Sequence, residues 1–133
     1  MEMMVVIAII GIILAIALPA YSSWRERTAL RSAAEALMAH LKQARHLAIA
    51  ENRSVTVVFS TNQYVFDQGA GQPHRNKTVN LSGFGAVTLA STFPGGALTF
   101  TSRGTAPSGT ITLSSGGASK TITVNVIGRA YAQ

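Results

Sequence analysis

The sequence contains no cysteine, which excludes disulfide-stapled scaffolds, cysteine-ligated metal sites and thiol redox centres. Familiar catalytic signatures are missing as well: there is no H-E-x-x-H, no G-x-S-x-G and no phosphate-binding P-loop. The histidines are His40, His46 and His74. The first two lie six residues apart on a predicted helix, so they do not share a face as a pair of metal ligands would. We therefore expect no enzymatic activity, no metal site and no cofactor.

Acidic residues are scarce too. Five Asp+Glu stand against 11 Lys+Arg, which gives a formal net charge of +6 at pH 7. So few carboxylates make a catalytic pair for acid–base chemistry unexpected. The excess of cations favours anionic partners such as phosphate, nucleic acid or acidic lipid, although a basic surface that is simply solvated explains it equally well.

Charge is absent altogether from one long stretch near the start, between Glu2 and Arg25. Residues 3–18 are all apolar apart from Gly11, and a run of this kind is long enough to cross a bilayer as a helix. A plain membrane anchor has no need of a carboxylate at its beginning, a glycine in its middle or a helix-breaking proline, Pro19, near its end. No basic segment precedes the run, as it would in an intact secretory signal peptide.

Beyond Tyr21 the pattern becomes amphipathic, with apolar residues spaced by three and four. The residues that share this face are Leu30, Ala34, Leu37, Leu41, Ala44 and Ala48. We predict one nearly continuous helix from Glu2 to Glu51, ended by Asn52 in a left-handed conformation. This gives a helical stalk over residues 1–53, in which 1–24 lie in lipid or against other subunits and 25–53 pack on the domain that follows.

After Arg53 the apolar residues alternate with polar ones, which is typical of half-buried antiparallel strands. The strands are predicted at 54–60, 63–67, 86–92, 97–101, 109–115 and 120–127, with loops at 69–77 and 102–109 and a tail at 128–133. Five or six short strands cannot cover both of their faces, so the amphipathic half of the helix supplies the missing layer. The predicted fold class is therefore α+β: a long N-terminal helix packed on a small antiparallel β-sheet head at 54–133.

The segment Glu2 to Ser22 resembles the N-terminal signature of type IV pilins and type II secretion pseudopilins. The order is a lone glutamate, an apolar run with a glycine inside it, and then Leu-Pro-Ala-Tyr at 18–21. Three later stretches are similar to the GspH/FimT-type branch: ARHLAIAENRSVTV at 44–57, LTFTSRGTA at 98–106 and VIGRA at 126–130. The family's mature chain usually has a methylated phenylalanine and three further residues before the glutamate, whereas only Met1 precedes Glu2 here.

The resemblance implies a structural role in a filament. A prepilin peptidase would cleave a leader on the cytoplasmic side, the helix would wait in the inner membrane, and an assembly platform would stack subunits into an extracellular or periplasmic filament. Glu2 would pair with the terminal amine of a neighbouring subunit, and the helix between Gly11 and Pro19 would unwind on assembly. The head would lie outside, although the positive-inside rule applied to Arg25 and Arg27 alone favours the opposite orientation.

Two alternatives stay open. Some FimT-like proteins bind DNA through a C-terminal Gly-Arg-x-Arg motif, of which Gly128, Arg129, Ala130 and Tyr131 keep half. In a DNA-binding minor pilin, cations would contact phosphate and Tyr131 would stack on a base. The candidate residues are Arg129, Tyr131, Lys120, Arg103, Arg75 and Lys77. A single-pass surface protein that forms no filament is the other alternative, but it leaves Glu2, Gly11 and Pro19 unexplained.

Overall fold

A computed structural model describes residues 2–69 and 75–133 of the chain. One long helix, α1, runs from Glu2 to Ala50 and is followed by eight strands. The strands are β1 (Val55–Ser60), β2 (Gln63–Asp67), β3 (Asn76–Asn80), β4 (Thr88–Ser91), β5 (Ala97–Phe100), β6 (Gly109–Ser115), β7 (Ala118–Val124) and β8 (Ala130–Ala132). Short 3₁₀ turns at Leu81–Phe84 and Pro94–Gly96 precede β4 and β5.

The strands form two four-stranded antiparallel sheets, ordered β3-β2-β1-β5 and β4-β6-β7-β8. The β1–β2 hairpin turns at Thr61 and Asn62, so Ser60 lies opposite Gln63 and Val57 opposite Phe66. In the second sheet β6 and β7 pair along their whole length, from Gly109 opposite Val124 to Ser115 opposite Ala118. Residues alternate strictly between buried and exposed along β1, as expected where one face of a sheet covers a core.

The second half of α1 lies against both sheets. Its buried residues are Leu30, Ala33, Ala34, Leu37, Leu41, Ala44 and Ala48. This set contains every residue of the predicted apolar face, so that prediction is confirmed. Four of the seven are alanines, whose small side chains let the helix backbone approach the strands closely. The α+β fold class is confirmed as well: one long helix packs on antiparallel sheet.

The end of α1 is fixed by local backbone geometry and by an ionic cluster. Asn52 adopts a positive φ of 49°, as predicted, and the Arg53 N–H donates to the carbonyl of Ala48. The Arg53 guanidinium also donates to Glu51 and, at 2.7 Å, to Asp67 on β2. Arg75 Nε donates to the same Asp67 oxygen at 3.1 Å. The helix terminus is thereby tied to the end of β2.

Asp67 is only 8% exposed, and burial alone would raise the pKa of its carboxyl group. Hydrogen bonds from Arg53, from the backbone N–H of Gly69 and from Arg75 outweigh that effect. The net result is a pKa of Asp67 below its ordinary value. The carboxylate therefore stays ionised and paired at neutral pH.

Two strands were not predicted from the sequence. β3 falls partly within the predicted loop at 69–77, and β8 falls within the predicted tail. Both lie at the outer edge of their sheets and owe their place to backbone pairing with one neighbour, β2 or β7. Four of the five residues of β3 are exposed, so no alternating apolar pattern marks it. Residues 70–74 of the predicted loop, including His74, lie outside the described residues.

Candidate functional site

The apolar first half of α1 has no packing partner within the described chain. Its large side chains are between 50% and 78% exposed, and the most apolar stretch buries none of its residues. The exposed set is Met3, Met4, Val5, Val6, Ile7, Ile9, Ile10, Ile12, Ile13, Leu14, Ile16 and Leu18. Burying a side chain of this size is worth about 1.5–3 kcal/mol, so the segment is strongly driven to find lipid or protein.

Gly11 and Pro19 lie inside an unbroken helix. Pro19 has no N–H to donate to the carbonyl of Ala15, so one backbone hydrogen bond is missing there. The hydroxyl of Ser22 donates to the Pro19 carbonyl at 2.9 Å and that of Ser23 to the Ala20 carbonyl at 3.1 Å. Around Gly11 an added methyl group would meet no atom of the described residues within 4 Å beyond its chain neighbours and the adjoining helix backbone. Neither residue is required by packing against the described part of the chain.

The C-terminal motif lies in a groove between α1 and the end of the second sheet. This basic groove has a volume of about 420 Å³. Its walls are formed by Lys42, Arg45, His46, Gly128, Arg129, Ala130 and Tyr131. Three of these residues carry a permanent positive charge, and Tyr131 is 45% exposed and available for stacking. A groove of this composition suits an anion next to a planar ring.

Close approach of two glycines builds one wall of the basic groove. Gly128, at φ 72°, lies so near the carbonyl of Gly104, at φ 75°, that a Cβ on Gly128 would come within 2.1 Å of that oxygen. Arg45 Nε donates to the same Gly104 carbonyl at 3.0 Å. The turn itself is closed by the Gly128 N–H to the Asn125 carbonyl and by the Arg129 N–H to the Asn125 side chain. Arg45, Gly104 and Gly128 come from the three stretches that resemble the GspH/FimT-type branch.

The six residues predicted as a DNA-binding patch do not share one surface. Only Arg129 and Tyr131 line the basic groove. Arg103 lies in the neighbouring loop, whose Gly104 carbonyl accepts from Arg45. Arg75 is paired with Asp67 on the first sheet.

Lys77 and Lys120 lie within strands. Lys77 belongs to β3, on the first sheet. Lys120 is the third residue of β7, close to the turn at Gly116 and Gly117. That turn approaches Glu26, 19 residues before Arg45 on α1 and therefore about 28 Å away along the helix. Of the six predicted residues, the structure brings Arg129 and Tyr131 together in the basic groove.

Three helix residues outside the predicted DNA-binding patch complete the basic groove. Arg45 and His46 come three and four residues after Lys42, so all three lie on one flank of α1. That spacing was visible in the sequence. What the sequence did not show is that the β7–β8 turn folds back onto this flank.

His40 faces the first sheet on another flank of α1. Its Nδ1 lies 2.6 Å from the hydroxyl of buried Tyr64, and its ring stacks on Phe66 with centroids 4.3 Å apart. His40 is therefore half-buried and bonded, not solvent-facing. Burial lowers the pKa of His40, and the nearby Lys77 charge adds to that effect. Burial also raises the pKa of Tyr64.

Within residues 2–69 and 75–133, no three His, Asp or Glu side chains lie close enough together to hold a metal ion.

This chain matches a protein-family model and, separately, solved structures. The family model for GspH, the type II transport protein, matches residues 33–128. A comparison with curated proteins finds no match.

Two solved structures share the fold. The Pseudomonas aeruginosa type IV minor pilin FimU superposes with a TM-score of 0.65 at 22% identity, covering 83% of this chain and 92% of FimU. The minor pseudopilin EpsH of the Vibrio cholerae type 2 secretion system gives a TM-score of 0.62 at 14% identity, covering 78% of this chain and 95% of EpsH. Since the GspH model spans more than half of the sequence, the chain belongs to the GspH family, and it has the long-helix and antiparallel-sheet fold of minor pilins and pseudopilins.

Proposed function

We propose that this chain is a non-enzymatic subunit of a type IV pilus-like or type II secretion filament, and that it polymerises through the first half of α1. The observation that carries the proposal is the apolar surface of residues 3–18, where every large side chain is at least half exposed. Before assembly this surface faces the lipid of the inner membrane. After assembly it packs against the helices of neighbouring subunits in an extracellular or periplasmic filament, so that one surface serves both environments.

Glu2 is the proposed assembly contact. A carboxylate at the edge of an apolar run is costly to bury unless it is paired, and the terminal amine of a neighbouring subunit is the partner that the family resemblance implies. A prepilin peptidase would create that amine, and an assembly platform would bring the two groups together. Retention of the chain by the membrane needs only the apolar run. Incorporation into a filament needs Glu2 as well.

The test compares Glu2→Ala with Glu35→Ala in cells that carry the assembly machinery. Glu35 lies on the second half of α1, which packs on the head and is called the docked half below. There it pairs with Arg31 at 2.9 Å on the exposed face. We expect Glu2→Ala to stay in the membrane fraction and to disappear from sheared filaments, and Glu35→Ala to enter them like the wild type. Entry of Glu2→Ala into sheared filaments at wild-type level would refute the role of Glu2. Mass spectrometry of the same material identifies the mature N-terminus and separates an abundant major subunit from a scarce minor one.

Gly11 and Pro19 are proposed to mark the segment that unwinds on assembly. Glycine costs a helix about 1 kcal/mol relative to alanine, and Pro19 removes a backbone hydrogen bond, so this part of α1 is the easiest to open. The double variant Gly11→Ala with Pro19→Ala should stay helical in filaments viewed by cryo-electron microscopy. Equal unwinding in the wild type and the double variant would contradict the proposal.

Binding of DNA by a minor subunit is the second candidate function, and the basic groove favours it. Arg129 and Tyr131 lie there beside Lys42, Arg45 and His46, so phosphate contacts and base stacking are available together. The matched comparison is Arg129→Ala against Lys120→Ala, because each removes one cation and Lys120 lies outside the groove. Arg129→Ala alone should weaken salt-dependent binding in a gel-shift assay. A shift that survives Arg129→Ala would show that the C-terminal motif is not responsible.

A further inference from the structure

A second groove lies at the opposite end of the head from the basic groove. This groove, called the Tyr21 groove below, has a volume of about 420 Å³ and opens between α1 and two loops of the second sheet. Its walls are formed by Tyr21, Ser22, Arg25, Glu26, Gly85, Ala86, Ser115 and Gly116. The helix residues that line it follow directly on the apolar run, so the groove is continuous with the proposed membrane-spanning segment.

Helix geometry sets the depth of the Tyr21 groove in a bilayer. Nineteen residues separate Glu2 from Tyr21, which corresponds to about 28 Å along α1. The hydrocarbon core of a bilayer is about 30 Å thick, so Tyr21 reaches the layer of lipid headgroups. Tyr21 and Trp24 are 62% and 61% exposed, and their ring centroids lie 6.1 Å apart. Exposed tyrosine and tryptophan at this depth are typical of a membrane interface.

The two charged residues in the Tyr21 groove have opposite signs. Arg25 and Glu26 make no ion pair or side-chain hydrogen bond within residues 2–69 and 75–133. The other lining residues are uncharged, and an added Cβ on Gly116 would lie 2.2 Å from a Glu26 carboxylate oxygen. A ligand that filled the groove would therefore meet one free cation and one free carboxylate.

We propose that the Tyr21 groove binds the phosphoethanolamine headgroup of a membrane lipid before assembly. Arg25 contacts the phosphate, and the Glu26 carboxylate accepts a hydrogen bond from the ammonium. A purely anionic headgroup would meet the Glu26 carboxylate unfavourably. A choline headgroup has no N–H to donate to it. The headgroup that complements both side chains is thus zwitterionic with a free ammonium. This inference rests on the proposed insertion of residues 3–18 into the membrane.

Trp24, the only tryptophan of the chain, is a built-in probe for the test. The full chain is placed in vesicles containing equal amounts of phosphatidylethanolamine and phosphatidylcholine, and the acyl chains of one lipid or the other are brominated. Bromine quenches tryptophan fluorescence at short range, so the two samples report which lipid surrounds Trp24. We expect the apparent affinity for phosphatidylethanolamine to exceed that for phosphatidylcholine by about two- to fivefold, as for one exposed ion pair.

Variants separate the two contacts. Glu26→Gln should abolish the preference for phosphatidylethanolamine, whereas Arg25→Gln should weaken the association of both lipids, because both carry a phosphate. Glu35→Gln, an exposed carboxylate farther along α1, is the control and should keep the wild-type preference. Equal quenching by the two lipids in the wild type, or a preference that survives Glu26→Gln, overturns the headgroup site. Absence of quenching by either lipid overturns the membrane insertion itself and the headgroup site with it.

Discussion

The two halves of α1 form one unbroken helix, yet they differ in where their packing partners lie. From Leu30 to Ala48 seven residues are buried against the head. From Met3 to Leu18 every large apolar side chain is at least half exposed. The first half is the more apolar of the two, so exposure does not follow from composition.

This difference separates the two halves by where they obtain hydrophobic burial. Hydrophobic burial is the main favourable term in folding, and the second half obtains it within its own chain. Within residues 2–69 and 75–133 the first half finds no such partner. The head therefore folds on the second half, and under the proposed function the first half is left for membrane and filament. Substitutions in one half should affect the stability of the head, and substitutions in the other should affect assembly.

The largest effect is expected from Leu37→Ala. Leu37 is fully buried between α1 and the sheets, and truncation of a buried leucine costs about 2–5 kcal/mol of unfolding free energy. The matched control is Ile12→Ala, in the first half, which should change the stability of the head by less than about 0.5 kcal/mol. Urea unfolding in detergent, followed by near-ultraviolet circular dichroism, measures both. Similar losses for the two variants would refute the division of α1 into two halves.

Gly128→Ala should rank next, because it pushes the β7–β8 turn away from the loop that Arg45 holds. Alanine at φ 72° is strained, and its Cβ would collide with the Gly104 carbonyl. Together these effects should cost about 2–4 kcal/mol. Gly11→Ala, where nothing lies within 4 Å, is the control and should leave the thermal unfolding of the head unchanged. A stable Gly128→Ala variant would show that this contact does not hold the distal end of α1.

The features predicted well from sequence are those with a periodic signal. The four- and three-residue spacing of the series Leu30, Ala34, Leu37 and Leu41 identified the buried face of α1, because side chains at that spacing share one side of a helix. The alternating pattern likewise located β1, β2 and β6. The edge strands β3 and β8 escaped because exposed residues paired through their backbones leave no such pattern.

The candidate sites divide in the same way. Glu2, Gly11 and Pro19 stood out because each departs from the apolar run that surrounds it, and their roles remain predictions. The basic groove could be predicted only in part, since Arg129 and Tyr131 meet Lys42 and Arg45 through a tertiary contact with no local signature. For the same reason the sequence did not reveal that Arg75 pairs with Asp67 and is not a free cation.

Asp67→Asn tests the ionic cluster at the end of the docked half. The variant loses the charge that Arg53 and Arg75 share, which should cost about 1–3 kcal/mol at pH 7. The pKa of Asp67 is lowered in the folded state, so its contribution is fully present above the unfolded pKa of about 4 and is lost as pH falls through the folded pKa. Wild type and variant should therefore converge in stability at acid pH. The control is Glu2→Gln, which changes a carboxylate on the undocked half and should cause no such loss of stability. A difference in stability between Asp67→Asn and the wild type that stays constant at all pH values would contradict the prediction.

The smallest expected effect concerns His40, whose ring joins the docked half of α1 to Tyr64 and Phe66. Burial and the Lys77 charge lower the pKa of His40 below its ordinary 6.5 in the folded state, so the unfolded chain binds a proton more readily. Stability should fall as pH drops from about 6.5 through the folded pKa, by roughly 0.5 kcal/mol or less because the ring is partly screened by solvent. His40→Gln should flatten this slope in unfolding curves taken between pH 7 and about pH 5. The control His46→Gln, at an exposed position, should keep the pH dependence of stability. A pH dependence that persists in His40→Gln would mean that another group in the head causes it.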